Sequence, residues 1–233
     1  MAEIIGWLLD VYASREALSV WILGDDGRRY HLRHNIPMSF YVAGRNEELR
    51  SLWRWLSDQP ESLRLYRTEK RDLFAGPITV LAEECQRTSD LPELFRRTLD
   101  VSPSLTFYNA DLPLSVCYSS VFDGFLLGQV HIDEQAGRIS GITPLQTPWE
   151  IDAPPPTLST LTLEPDRDPF HAEPQAVLIS DAKHKWRLPF EPARGLLVNL
   201  RTLLKRSDPD LLLTSWGDTW LLPCLLDLSR KAG

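Results

Sequence analysis

The residues best suited to chemistry in this chain are charged and aromatic. Arg64, Tyr66, Arg67, Lys70 and Arg71 fall within the run RLYRTEKR, four cations around one aromatic ring. Such a strip is suited to phosphate contact with a base stacked beside it, although most charge runs are simply solvated faces. Trp216, in the loop SWGDT, offers a second ring for stacking or for filling a pocket. Glu164 and Asp166 flank Pro165, and two acids at that spacing share one face of an extended strand. Asp218 precedes an apolar segment, where an Asp ordinarily caps a helix or its turn. Other chemistries find no support. There is no glycine-rich phosphate loop, no G-x-S-x-G elbow and no H-E-x-x-H pair. Cys85, Cys117 and Cys224 are too scattered for a zinc site or a disulfide framework. A reducing, cytoplasmic setting is expected, nucleoid-associated if the chain handles DNA.

Composition bounds the rest. The 233 residues suit one large domain or two small ones. A net charge of −7 argues against tight autonomous DNA binding and leaves only local basic patches as candidates. The opening IIGWLL is too short, and its flanks too acidic, for a signal peptide or membrane span.

The elements that must position these residues follow from periodicity. Strands are expected at Gly6–Ala13, Leu18–Leu23 and Arg29–Arg33, the last two joined by a GDDG turn, and at Met38–Ala43. Asn46 is the expected N-cap of EELRSLWRWL, whose Leu49, Leu52, Trp53 and Leu56 recur at helical spacing. A strand over Leu63–Arg67, shorter segments over Asp72–Val80 and Leu81–Glu84, a helix over Pro92–Leu99 and a strand over Leu105–Tyr108 follow. That alternation is the pattern of a small α+β sandwich resembling a ferredoxin or RNA-recognition (RRM) fold. Leu126–Ile132 and Arg138–Pro144 are expected to form a further hairpin. The segment 144–157 holds five prolines and reads as a linker. Behind it come strands at Leu158–Leu163, Ala176–Ser180 and Lys185–Leu188, a helix over Arg194–Lys205, and a buried strand at Leu211–Thr214. The expected organisation is an amino-terminal mixed α+β domain over 1–143, the linker 144–157, and an α/β domain over 158–233.

Several phrases resemble family B DNA polymerases. Asp208-Pro209-Asp210, the short apolar strand, and then Trp220, Pro223 and Leu225 are similar to that family's second exonuclease motif. Further phrases occur in the family's order: Ser39-Phe40-Tyr41, Phe74-Ala75-Gly76-Pro77-Ile78-Thr79-Val80, and Tyr108-Asn109-Ala110-Asp111-Leu112-Pro113. The resemblance implies an amino-terminal polymerase domain followed by part of a ribonuclease H-like 3′→5′ exonuclease domain. It implies template or primer DNA as partner, no membrane, and the remainder of a polymerase chain beyond Gly233. Mg²⁺ is expected for the parent polymerase and no cofactor for this chain. Archaeal members use this domain to sense uracil in the template, but the proline near Phe40 lies one position from the family pattern, so that pocket is not carried over.

Within this resemblance the nuclease chemistry is degraded. Family exonucleases hold two metal ions with carboxylates, which stabilise the attacking and leaving oxygens. The first motif's Asp-x-Glu stands here as Glu164-Pro165-Asp166, each acid displaced by one methylene, about 1.5 Å. Pro165 is also a poor residue for a central strand. Leu221 replaces the metal-binding Asp of the second motif and Trp216 replaces its Asn. The expected role is therefore a DNA-binding scaffold with an inactive exonuclease, and whether this chain is itself an enzyme is left open. Two alternatives stand beside it: a standalone DNA-binding or polymerase accessory protein, and an active nuclease using Glu164, Asp166 and Asp218. Trp216 is expected to plug the vacated metal pocket, and a truncated nuclease sheet is expected to leave an apolar edge exposed.

Overall fold

The computed structural model describes residues 2–14, 17–61 and 63–232. The chain is mixed α+β with several sheets and divides into two compact units, Met1–Pro156 and Thr157–Gly233.

The first unit opens with the meander β1 (Ala2–Ala13), β2 (Leu18–Gly24) and β3 (Arg29–His34). It continues through β4 (Met38–Ala43), α1 (Asn46–Ser57), β5 (Leu63–Asp72), β6 (Gly76–Cys85), α2 (Leu91–Val101) and β7 (Thr106–Tyr108). After α3 (Leu114–Val121) it closes with the hairpin β8 (Gln129–Gln135) and β9 (Arg138–Pro144).

Strands β1-β2-β3-β9-β8 form a closed barrel. Its interior is filled by the inward residues Ile4, Leu8, Val11, Val20, Ile22, Leu32, Val130 and Ile132, together with Tyr118 from α3. A register shift between Leu8 and Asp10 moves the inward positions of β1 from even to odd numbers, which is what lets Val11 join Leu8 inside. The first strand begins at Ala2, ahead of the expected Gly6, because its early residues pair with β8, as Ala2 with Glu134. Gly6 lies where β1 passes between β2 and β8. A Cβ there would meet the Leu23 carbonyl oxygen at 2.3 Å, so only glycine fits.

The intervening segment builds a four-stranded sheet in the order β5-β6-β4-β7, every neighbouring pair antiparallel. Helices α1 and α2 cover one face through Leu52, Leu56 and Leu94, which pack on Phe40, Val42 and Leu81. Two local expectations change. The cap of α1 is Arg45, whose N–H is accepted by Glu48 Oε2 at 3.4 Å, and Asn46 is already helical. The segments expected over 63–84 form a single long hairpin, because Asp72 accepts the N–H groups of Phe74 and Ala75, both at 2.7 Å, and Gly76 takes φ +77°. The proline-rich segment is tied to this unit: Trp7 Nε1 donates to the Pro154 carbonyl at 3.3 Å, and Gln146 Oε1 accepts from the Gln129 amide at 2.9 Å.

The second unit runs β10 (Thr160–Pro165), β11 (Ala176–Ser180), β12 (Lys185–Pro189), α4 (Ala193–Ser207) and β13 (Leu211–Thr214). A single π-helical turn, Gly217–Leu221, leads into α5 (Leu222–Ala232). The sheet order is β12-β11-β10-β13, antiparallel except that β13 lies parallel to β10. That parallel return requires a crossover, which α4 supplies. Leu161, Leu163, Val177 and Ile179 of the sheet form the core with Leu196, Leu200, Leu221 and Leu225. The strand expected to be buried, β13, instead ends the sheet order with Leu212 and Leu213 43% and 49% exposed. Pro165 fits because it is the last residue of β10, past Leu163, where pairing with β13 ends. No helix among the described residues is long and apolar enough to cross a membrane.

Candidate functional site

Two of the candidate acids, Glu164 and Asp166, lie at the carboxyl end of β10, where an α/β sheet usually presents its chemistry. Glu164 lies on the strand itself, and Ser215, just beyond β13, donates to its Oε1 at 3.1 Å. Asp166 lies one residue past the strand and is fully engaged from the opposite side. Its Oδ1 accepts the Gln175 and Ala176 amides at 2.8 and 3.2 Å, and its Oδ2 accepts Arg187 Nη2 at 2.8 Å. Burial alone would raise this carboxyl, but the Gln175 amide, the Arg187 guanidinium and the Ala176 amide together hold it below the ordinary range. The two carboxylates are thus drawn towards different neighbours of β10, Glu164 to the β13 side and Asp166 to the β11–β12 side.

Leu221 closes the π-helical turn, its N–H donating to the Trp216 carbonyl at 2.8 Å, and its side chain is 0% exposed in the core. Asp218 is exposed on that same turn, which has no side-chain cap at its start. Glu164, Asp166 and Asp218 do not form a converging group. Among the described residues the acids and histidine whose donor atoms do converge are Glu3, His131 and Asp133, in the first unit. A two-metal centre does not fit Glu164, Asp166 and Asp218 as placed, since they do not converge and Asp166 is occupied by an arginine.

Trp216 does not plug a vacated pocket. It adopts φ +51° ahead of Gly217, is 38% exposed, and is absent from the side chains packed on the second core. Leu221 fills the interior, and Trp220 packs edge-to-face on Phe190 with centroids 5.8 Å apart. Gly217 permits the tight turn, since a Cβ there would meet Thr214 Oγ1 at 2.1 Å.

The basic strip of the first unit is split by its own strand. On β5, Leu63 and Leu65 pack under the helices, so Arg67 and Arg71 share that side while Arg64, Tyr66 and Lys70 face the other. Arg67 lines a recess of about 340 Å³ with Arg50, Trp53 and Arg54 of α1. On the open face, Tyr66 pairs with Ala82, Ala82 with Tyr41, and Tyr41 with Tyr108. Tyr41 and Tyr108 are not among the site residues expected from sequence because their neighbourhood depends on pairing between distant strands. The alternation in MSFYVA does place Tyr41 opposite the buried Phe40 and Val42.

No protein-family profile matches the chain, and no curated protein matches it in sequence. Among solved structures, the fold is similar to the family B DNA polymerase from the hyperthermophilic archaeon Pyrobaculum calidifontis, with a TM-score of 0.67 and 17% sequence identity. The match covers 98% of this chain and 32% of that one. At this identity the likeness is one of fold.

Proposed function

We propose that the chain is a DNA-handling scaffold of the family B polymerase type, in which the exonuclease-like part braces DNA without cutting it. In this reading residues 1–143 are the amino-terminal polymerase-type domain, 144–157 the connecting segment, and 158–233 the front of a ribonuclease H-like domain. The strand order β12-β11-β10-β13 supports the last assignment. The connectivity β4-α1-β5-β6-α2-β7 supports a ferredoxin-like element within the first. The closed five-stranded barrel with a helix set against it is an architecture that oligonucleotide-binding folds also use.

The observation that carries the non-catalytic reading is the fate of the two motif positions. Asp166 is neutralised by Arg187, and Leu221 is locked in the core. Moving a reacting group by one ångström costs orders of magnitude in rate, and losing a metal-ligating carboxylate costs more. Incubating the protein with a 5′-labelled single-stranded oligonucleotide and Mg²⁺ or Mn²⁺ is expected to leave the label at full length. Metal-dependent 3′→5′ shortening that Asp166→Ala abolishes would reinstate the nuclease.

The exposed Leu212 and Leu213 on β13 support a further strand or domain covering that edge in the working protein. An antibody against residues 1–233 is therefore expected to detect a product much larger than 26.6 kDa in source cells. A band at that mass would favour the free-standing accessory protein instead.

A further inference from the structure

The face of the four-stranded sheet turned away from α1 and α2 is built as a row, its three tyrosines half-buried and Ala82 between them fully buried. Tyr66, Ala82, Tyr41 and Tyr108 lie opposite one another across β5, β6, β4 and β7, so three rings share one line with a single small residue among them. Cations attend the rings. The Arg64 guanidinium stands 5.3 Å from the Tyr66 centroid, and Lys70 Nζ stands 4.8 Å from that of Tyr41. At the Tyr108 end, Tyr41, Lys70, Asp72, Tyr108, Asn109 and Ser120 surround a recess of about 400 Å³.

The acids on this face are already engaged. Glu84 is bridged to Arg64 at 3.8 Å, and Asp72 accepts the Phe74 and Ala75 amides, both at 2.7 Å. What the face offers a ligand is therefore π surface with Lys70 beside it, and Arg64 shared between Glu84 and an incoming phosphate. A protein's apolar helix would find few apolar contacts here, and duplex DNA keeps its base faces stacked inside. Unpaired bases present theirs, and base–aromatic stacking is tolerant of sequence. Four-stranded α+β sheets elsewhere stack the bases of single-stranded RNA on the face away from their helices.

We propose that this face binds single-stranded DNA, with bases stacked on Tyr66, Tyr41 and Tyr108 and phosphates met by Lys70 and Arg64. The choice of DNA rests on the scaffold reading above. The aromatic row is specified independently of the carboxylate site.

The test is fluorescence anisotropy of labelled oligothymidylate with the whole chain in EDTA, so that metal-dependent digestion cannot interfere. Tyr66→Leu and Tyr108→Leu are each expected to weaken binding roughly ten-fold, with Tyr66→Trp restoring it. Lys70→Ala is expected to reduce the salt slope by about one. Arg67→Ala, on the same strand but the other face, is expected to weaken binding far less than Tyr66→Leu, by no more than the loss of one distant charge. Unchanged circular dichroism in the leucine variants separates lost binding from lost folding, and native-level binding by Tyr66→Trp ties the loss to the ring. Full affinity in the double leucine variant would assign the face to another class of partner and overturn the proposal. So would an equal loss on Arg67→Ala, which would move binding to the arginine recess under α1, or equal affinity for duplex DNA. Tighter binding of oligouridylate would overturn the choice of DNA. Digestion of DNA by added metal would remove the non-catalytic reading and leave the binding result standing.

Discussion

Glu83→Gln is expected to raise the melting temperature of the first unit at neutral pH, with a gain that shrinks as the buffer is acidified. Glu83 lies on β6 between Phe40 and Leu65, on the face covered by the helices, and is 0% exposed. Neither carboxyl oxygen has a hydrogen-bond partner. Thr98 of α2 lies beside it, but its hydroxyl proton is given to the Leu94 carbonyl at 2.9 Å, so it provides only weak support for the charged form. Burial accordingly pushes Glu83 up to about 8, and the folded state prefers it neutral. A raised carboxyl is stabilising below its ordinary value of 4.5, and that advantage is lost as pH climbs towards 8. Glutamine keeps the shape and never ionises. The gain is expected to be about 3 kcal/mol at pH 7 and about 1 kcal/mol at pH 5. For a chain of this size that is a shift of roughly 5–10 °C at neutral pH. Melting curves of the whole chain at both pH values check it. An equal shift at the two, or a loss at pH 7, would sink the argument.

Glu83 also shows where sequence reading stops. The run TVLAEEC gives no sign that one of its two glutamates is buried and the other exposed enough to bridge Arg64. That depends on which face α2 covers. The basic strip met the same limit: period-two alternation separates Arg64, Tyr66 and Lys70 from Arg67 and Arg71, but only once one continuous strand is known to reach Asp72. The expected strand stopped at Arg67, so the strip passed for one patch. The tyrosine row needed more, because Tyr41, Tyr66 and Tyr108 meet only through register between strands brought together by two helical crossovers. By contrast, the fate of Leu221 was visible in its chemistry alone, since leucine binds no metal in any setting. The neutralisation of Asp166 was not, because Arg187 arrives through the β11–β12 pairing.

The opposite pH response is expected from the barrel. His34 Nδ1 and the Tyr118 hydroxyl are joined at 2.8 Å between β3 and α3, with His34 9% exposed and Tyr118 fully buried. Burial pushes His34 down to about 4, so the fold holds it neutral. Its contribution is complete above the ordinary value of 6.5 and falls away as pH drops towards 4, by about 2 kcal/mol at pH 5. Between pH 5 and 7 the Glu83 and His34 slopes run against each other, and in the native chain they nearly cancel. Each substitution should therefore expose the slope of the other group. Glu83→Gln should lose stability on acidification, at up to about 1.4 kcal/mol per pH unit. His34→Gln should lose it on alkalinisation at a similar rate, because only Glu83 is left to respond. The double variant should be flat again, at a higher level than the native chain at neutral pH. Melting of the four proteins across this range reads out all the slopes. A native profile that already falls steeply to one side, with both single variants parallel to it, would mean that neither buried group governs the response. The two cores are tuned against each other only if the single variants tilt in opposite directions.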